Sequence, residues 1–321
     1  MNDIKPVPGA AEFSTESAAE FAAAEIVAEV ITESASEDTA EDTAEGAAAV
    51  FGRCLEEVRE SQPLVQVITN FVTVNDCANI LLAAGASPTM ARDIREAAEI
   101  AEGCQALVLN MGAVENTEAM LLAGRRAGEL KRPVILDPVA AGASSLRRQI
   151  SRQLLSGLDL TVIRGNISEI RALALGASSA KGVDAAAGDL VTEESLPRTV
   201  DMAKAFAKKA KTVVAISGKI DIVTDGKQVW LIRNGCPTMA RITGSGCMLT
   251  ALIGAFCGAN PRRPFEATAA AVAAMGLAGQ LAENRRQKNG TGTATFRNDL
   301  IDAVSNMTAE ELTVGALIER Y

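Results

Sequence analysis

The sequence predicts an α/β fold built on a mostly parallel sheet with helices on both faces. Three observations lead there. Short, continuous apolar runs recur after residue 50, helix-period stretches separate them, and an Asp-Gly turn joins two strand-like segments late in the alternation. Runs without polar alternation suit strands buried on both faces, and the stretches between them supply the crossovers that parallel strands require. With 321 residues and 48% apolar content, the chain can bury one large core or two small ones.

Taken in order, residues 1–48 are rich in Ala, Glu, Ser and Thr and are expected to be an acidic, disordered extension. Within it, Ala18–Ile31 has the pattern of a transient amphipathic helix. Residues 49–321 are expected to form the folded domain. Strands are predicted at Leu64–Thr69, Ala106–Asn110, Val134–Asp137, Leu160–Arg164 and Val213–Ser217, and helices at Glu115–Leu130, Ser144–Leu155 and Ala203–Ala210. Asp221–Asp225 and Gln228–Arg233, joined at Asp225-Gly226, read as an antiparallel hairpin that closes the sheet edge. Helices are then expected from Met248 through Phe256, over Phe265–Arg286 and over Asp299–Arg320.

Charge and residue usage narrow the function classes. Residues 1–48 hold 12 Asp and Glu against Lys5 alone, a net of −11, and the whole chain carries −9, so the remainder sums to +2. A nearly neutral domain argues against nucleic-acid binding and suits a small, weakly charged substrate. No apolar run reaches the roughly 20 residues a membrane helix needs, and no basic segment precedes an apolar core at the start. Cys54, Cys77, Cys104, Cys236, Cys247 and Cys257 form no CxxC pair, which fits free thiols in a reducing, cytoplasmic setting. The chain contains no histidine. That excludes Ser–His and Cys–His dyads and His-ligated metal sites, and leaves carboxylates, thiols, Lys and backbone donors for any chemistry.

The most informative segment is Arg241-Ile-Thr-Gly-Ser-Gly-Cys247, which opens into the apolar helix from Met248. Gly244 and Gly246 allow close approach of backbone to ligand, and the unpaired N–H groups of a first helical turn attract phosphate oxygens. Cys247 falls in that turn, where a lowered pKa would let it take a proton from a hydroxyl; the plain alternative is a small core residue. In open α/β sheets, ligands bind beyond the carboxyl ends of the strands. At those ends stand Asn70, Asn110-Met-Gly112, Asp137-Pro138, then Arg164, Asn166 and Glu169, and finally Ser217-Gly218. Asp137 and Glu169 near Arg164 suit Mg²⁺ and polyphosphate, although an N-cap and an exposed helix carboxylate are the ordinary roles for such acids.

These segments resemble the hydroxyethylthiazole kinases of the ribokinase-like superfamily from about residue 50 onward. The resemblance rests on Pro63–Asn70, Gly85–Met90, Leu107–Gly112, Leu136–Gly142, Val162–Glu169, Gly218–Asp221 with Thr224–Gly226, and Asn234–Pro237 leading into Thr243–Cys247. It implies a three-layer αβα sandwich, ATP- and Mg²⁺-dependent phosphorylation of 4-methyl-5-(2-hydroxyethyl)thiazole, and a homotrimer with interfacial sites. It further implies that Met90, Gly244 and Asn70 line the thiazole pocket and that Arg164 and Ser217 contact ATP. Asp137 and Glu169 would organise Mg²⁺, and the Gly244–Cys247 turn, with Gly246, would hold the transferred phosphoryl group. Cys247 stands where most of the superfamily has an aspartate base. Gln66-Val67 and Cys236 replace histidines usual in the family, and the acidic extension lies outside its pattern. The rival readings are a hydroxymethylpyrimidine-type kinase or nucleotide-repair dehydratase of the same fold, against which Cys247, Asn70 and Met90 argue, and a catalytically silent sensor, against which the near-complete set of rim residues argues.

Overall fold

The computed structural model describes residues 41–175 and 191–321; the Ala18–Ile31 segment lies outside them. The first helix, α1 (Glu41–Ser61), spans the expected domain boundary at 48/49. Its inward positions Phe51, Cys54, Leu55 and Val58 are buried.

A nine-stranded sheet forms the middle layer. Its strands are β1 (Leu64–Ile68), β2 (Ser87–Thr89), β3 (Ala106–Asn110), β4 (Val134–Asp137), β5 (Val162–Asn166), β6 (Val213–Ser217), β7 (Asp221–Thr224), β8 (Val229–Ile232) and β9 (Ile318–Arg320). They lie in the order β2-β1-β3-β4-β5-β6-β7-β8-β9. Pairing is parallel from β2 to β6 and antiparallel from β6 to β9.

Residues alternate across the sheet, as a period of two requires. Val65, Val67, Ala106 and Val108 join one core with α1, and Ile68, Leu107, Leu109 and Leu136 join the other. The first core is completed by α2 (Val74–Ala84), α8 (Ser245–Ala259), α9 (Pro264–Asn289) and α10 (Thr293–Asn306). The second is covered by α3 (Ala97–Gly103), α4 (Thr117–Glu129), α5 (Ser145–Gly157), α6 (Ile167–Leu175) and α7 (Leu196–Ala210). This is the expected three-layer αβα arrangement. Helix α9 is long and apolar enough to cross a membrane, but 83% of its most apolar window is buried inside the protein. It is therefore accounted for as a core helix.

Three expectations need correction, and one strand is absent from them. The strand expected at 160–164 is β5, two residues further on, because β5 pairs Val162 with both Ile135 and Val213. Arg164 therefore lies in the middle of the strand rather than at its end. The hairpin of β7 and β8 does not close the sheet, since β9 from the end of the chain pairs with β8. The helix expected over 299–320 breaks at a capping box, in which Thr308 Oγ1 accepts from Glu311 N–H and the Glu311 carboxylate accepts from Thr308 N–H. That box starts α11 (Ala309–Gly315), and the chain then extends into β9. Finally, β2 is a three-residue edge strand containing Pro88, too short to show a period.

Chain order places the binding crevice. From β1 the chain runs through α2 to β2 on one side, whereas β3 lies on the other side of β1. The carboxyl ends of β1 and β3 thus flank the topological switch point, where open α/β sheets bind ligands. Helix α8, buried continuously from Met248 to Cys257, lies against these central strands and aims its N-terminus at the crevice. Gly254 makes the close approach possible, since a Cβ there would lie 2.5 Å from Val108 Cγ2 and 3.2 Å from Val65 Cγ1. Gly254→Ala should therefore destabilise the protein by about 1–3 kcal/mol through overpacking. An unchanged denaturant midpoint would show that α8 does not need this contact.

Candidate active site

Gly244 caps α8 with φ +83°, a left-handed conformation that favours glycine, and offers the first-turn N–H groups no side-chain partner. A Cβ on Gly244 would approach Thr73 Cγ2 to 2.8 Å, and one on Gly246 would approach Arg164 Nη1 to 2.6 Å. Conformation and close packing together thus favour glycine at 244, and the guanidinium of Arg164 lies directly against the helix start at Gly246. Positive charge and unpaired N–H groups meet here, an arrangement that suits an anion.

Cys247 occupies the first turn of α8, half-buried. Its Sγ accepts from Asn110 Nδ2 at 3.1 Å, with Asn70 Nδ2 at 3.8 Å. Burial pushes the thiol pKa up, and the charge of Asp137 adds to the rise, against hydrogen bonds from Thr73 and Asn110 and the charge of Arg164. The expectation of a lowered pKa from the helix terminus is corrected by this balance: loss of water outweighs the local donors.

Asp137, at the end of β4, is 1% exposed. Its Oδ2 accepts from Asn110 Nδ2 at 3.0 Å and from Thr250 Oγ1 at 2.9 Å, and Arg164 Nη1 stands 4.0 Å away. Burial raises its pKa to about 6, Arg164 opposes this, and Glu169 adds to it. Glu169 is held by two backbone donors, Ala140 N–H to Oε1 and Asn166 N–H to Oε2, both at 2.9 Å. Ala140 is itself in the left-handed region, at φ +56°, so the carboxylate fixes a strained turn beyond Asp137. Two mutually repelling carboxylates with one nearby guanidinium leave negative charge incompletely matched. That suits a hard cation bound largely through water and phosphate oxygens. Among the described residues, no group of three or more acids or cysteines forms a complete metal cage.

Ser217, at the end of β6, accepts from Arg164 Nη2 at 2.5 Å, so the two residues expected to contact ATP are joined. Asn70 Oδ1 accepts from the N–H groups of Val72 and Thr73, a turn that directs its Nδ2 toward Asn110 and Cys247. Met90 follows β2 and packs half-buried against the same core that Cys247 packs against, with no polar link to the other candidates. The following turn is held by Gln66, whose Nε2 donates to Ala91 O and Ala97 O. Cys236 Sγ, at the other departure from the family pattern, donates to Gly279 O.

Sequence reasoning missed the parts played by Thr73, Thr250 and Asn110. Asn110 was placed on the rim without a role. Thr250 stands one helical turn after Gly246 and Thr73 caps α2, so each carried a positional signal but no motif.

The chain matches the hydroxyethylthiazole kinase family over residues 55–310. It is 52% identical over 269 residues to a hydroxyethylthiazole kinase of Clostridium acetobutylicum, covering 83% of this chain and 98% of that one. It resembles the structure of a hydroxyethylthiazole kinase protein from Pyrococcus horikoshii, with TM-score 0.73, 32% identity, and coverage of 84% and 98% of the two chains. The pyridoxal kinase of Staphylococcus aureus in complex with ADP, at 18% identity, TM-score 0.50 and coverage of 68% and 88%, shares the fold.

Asp221, at the start of β7, is buried beside this site and accepts from Gly218 N–H at 2.8 Å. Burial lifts its pKa from 3.8 to about 7, against the Gly218 hydrogen bond and the charge of Arg164. A folded-state pKa above the unfolded one gives stability that is complete below the unfolded pKa and lost as pH rises through the folded pKa. Asp221→Asn keeps an acceptor for Gly218 and removes the charge. Between about pH 5 and pH 8 the variant should gain on wild type by on the order of a few kcal/mol. Denaturant unfolding at both pH values checks this, and a pH-independent difference would contradict it.

Proposed function

The chain belongs to the hydroxyethylthiazole kinase family, and on that premise we propose that it transfers the γ-phosphoryl group of ATP to the hydroxyl of 4-methyl-5-(2-hydroxyethyl)thiazole, a thiamine-salvage reaction. The observation that carries this reading is the meeting of the α8 N-terminus, Cys247, Asp137 and Arg164 at the sheet's switch point.

Phosphoryl transfer needs positioning and charge stabilisation more than covalent help. Asn70, Met90 and Gly244 line the pocket for the thiazole, whose hydroxyl faces Cys247. Arg164 and Ser217 hold ATP, and Arg164 offsets charge on the phosphate oxygens. The backbone donors of Gly244 through Cys247, including Gly246, stabilise the equatorial oxygens of the group in transit. Cys247, in its thiolate form, accepts the hydroxyl proton late, as the new oxygen–phosphorus bond forms and the bond from the phosphorus to the ADP oxygen breaks. Asp137 and Glu169 would hold Mg²⁺, which would supply positive charge against the phosphate oxygens.

Subunit assembly as a homotrimer fits the surface beside the pocket. Phe71 is 78% exposed and Val72 is 55% exposed immediately after Asn70, an apolar pair that a neighbouring subunit would cover. Free cysteines fit a cytoplasmic setting. Residues 1–48 are proposed to be dispensable for turnover, and residues 49–321 to hold the kinase. The reading calls for neither a nucleic-acid nor a membrane partner.

Turnover should require Mg²⁺, and excess EDTA should abolish it. Glu169→Gln should lower activity by about 10- to 100-fold, because an amide cannot accept from both backbone donors while supplying the same charge. Full activity in EDTA would remove the metal from the account.

Cys247→Ala should lower kcat by roughly 10²-fold or more with a much smaller change in KM, because proton removal matters mainly in the transition state. Cys247→Asp should retain or raise activity, since it supplies a carboxylate at the same position. An active alanine variant beside an unfolded aspartate variant would end the assignment of Cys247 as base.

A further inference from the structure

The carboxamide of Asn110 makes more polar contacts than any motif in the sequence would suggest. Its side chain is 1% exposed at the end of β3. Oδ1 accepts from Gly112 N–H at 2.8 Å and from Asn70 Nδ2 at 3.2 Å. Nδ2 donates to Asp137 Oδ2 at 3.0 Å and to Cys247 Sγ at 3.1 Å. An amide offers two donor hydrogens and two acceptor lone pairs, so every one is used.

These partners also fix which way the amide faces. A backbone N–H can only donate and a carboxylate can only accept, so Oδ1 must face Gly112 and Nδ2 must face Asp137. The second Nδ2 hydrogen then points at sulfur. The neighbouring Asn70 is fixed in the same way, because the N–H groups of Val72 and Thr73 occupy its Oδ1. The sulfur of Cys247 therefore meets donors on this side, and the hydrogen of its thiol cannot point toward Asn110.

We propose that Asn110 is the positioning residue for Cys247: its amide, braced by Asp137, Gly112 and Asn70, holds the sulfur as an acceptor facing the incoming hydroxyl. This rests on the reading of Cys247 as the proton acceptor. Asn110 touches neither the hydroxyl nor the phosphoryl group. It acts by keeping the sulfur in place and by donating to the thiolate that takes the proton.

The test is a double-mutant cycle in the full chain, reading kcat and KM for wild type, Asn110→Ala, Cys247→Ala and the double variant. Asn110→Ala should lower kcat by about 10- to 100-fold, the worth of a hydrogen bond to a charged group, with much smaller changes in KM. In the Cys247→Ala background, the same substitution should change kcat by less than about 2-fold, because the group it positions is gone. An equal loss in both backgrounds would overturn the proposal and place the effect on Asp137 or on the fold. A Cys247→Ala enzyme with wild-type kcat would instead show that the base assignment itself has failed, and the proposal would fall with it.

If Asn110→Ala does not fold, Gly112→Ala takes its place in the cycle. Its Cβ would lie 2.6 Å from Asn110 Oδ1 and 2.8 Å from Asn70 Nδ2, displacing the amide without deleting it. The same loss confined to the Cys247 background supports positioning, and an equal loss in both backgrounds overturns it.

Discussion

A carboxylate kept out of water at the point where three strands and a helix meet shapes this site. Asp137 ends β4, accepts from Asn110 on β3 and Thr250 on α8, and stands 4.0 Å from the guanidinium of Arg164 on β5. Burial of such a group is costly unless charge and hydrogen bonds offset it. Here the offset is incomplete, as the rise of its pKa to about 6 shows. The unmatched charge is the feature that a cation and a polyphosphate would complete, and it also accounts for part of the rise at Cys247.

The sheet and its central helix make that arrangement possible. Because β1 and β3 flank the switch point, Asn70 and Asn110 reach each other across 40 residues of sequence. Gly254 lets α8 lie close to the same two strands, bringing its N-terminal turn to the ends of β3 and β4. Gly246 then makes room for Arg164, so the start of α8 and the guanidinium sit directly against each other. Asp76 and Arg297 secure a further wall: the carboxylate Oδ1 accepts from Arg297 and ties α10 to α2, next to Thr73 and Gly244.

Much of this was legible in the chain. Four of the five parallel strands expected from apolar runs fall within a residue of where they stand, because strands buried on both faces have nothing to hide their hydrophobicity. The rule that ligands gather at strand ends placed Asn70, Asn110, Asp137 and Ser217 on the rim. What the chain did not show follows from tertiary context. The start of β5 is set by its two neighbours rather than by its own apolar run, and β9 is a strand only because β8 offers an unpaired edge. The thiol of Cys247 was expected to be acidified by the helix terminus, yet its environment raises it, since burial and a carboxylate remote in sequence decide the balance. The role of Asn110 is likewise invisible before four partners from separate segments are brought to one amide.

In the proposed reaction a hydroxyl of a thiazole is delivered to Cys247 beside the first turn of α8. ADP release, measured with Mg-ATP and a panel of thiazole and pyrimidine alcohols together with a thiazole lacking the hydroxyl, tests this most directly. Rapid ADP release with 4-methyl-5-(2-hydroxyethyl)thiazole is predicted, with kcat/KM at least about 10²-fold above that for a pyrimidine alcohol and no stimulation by the hydroxyl-free compound. Preference for a pyrimidine alcohol, or ADP release no faster than without an acceptor, would contradict it.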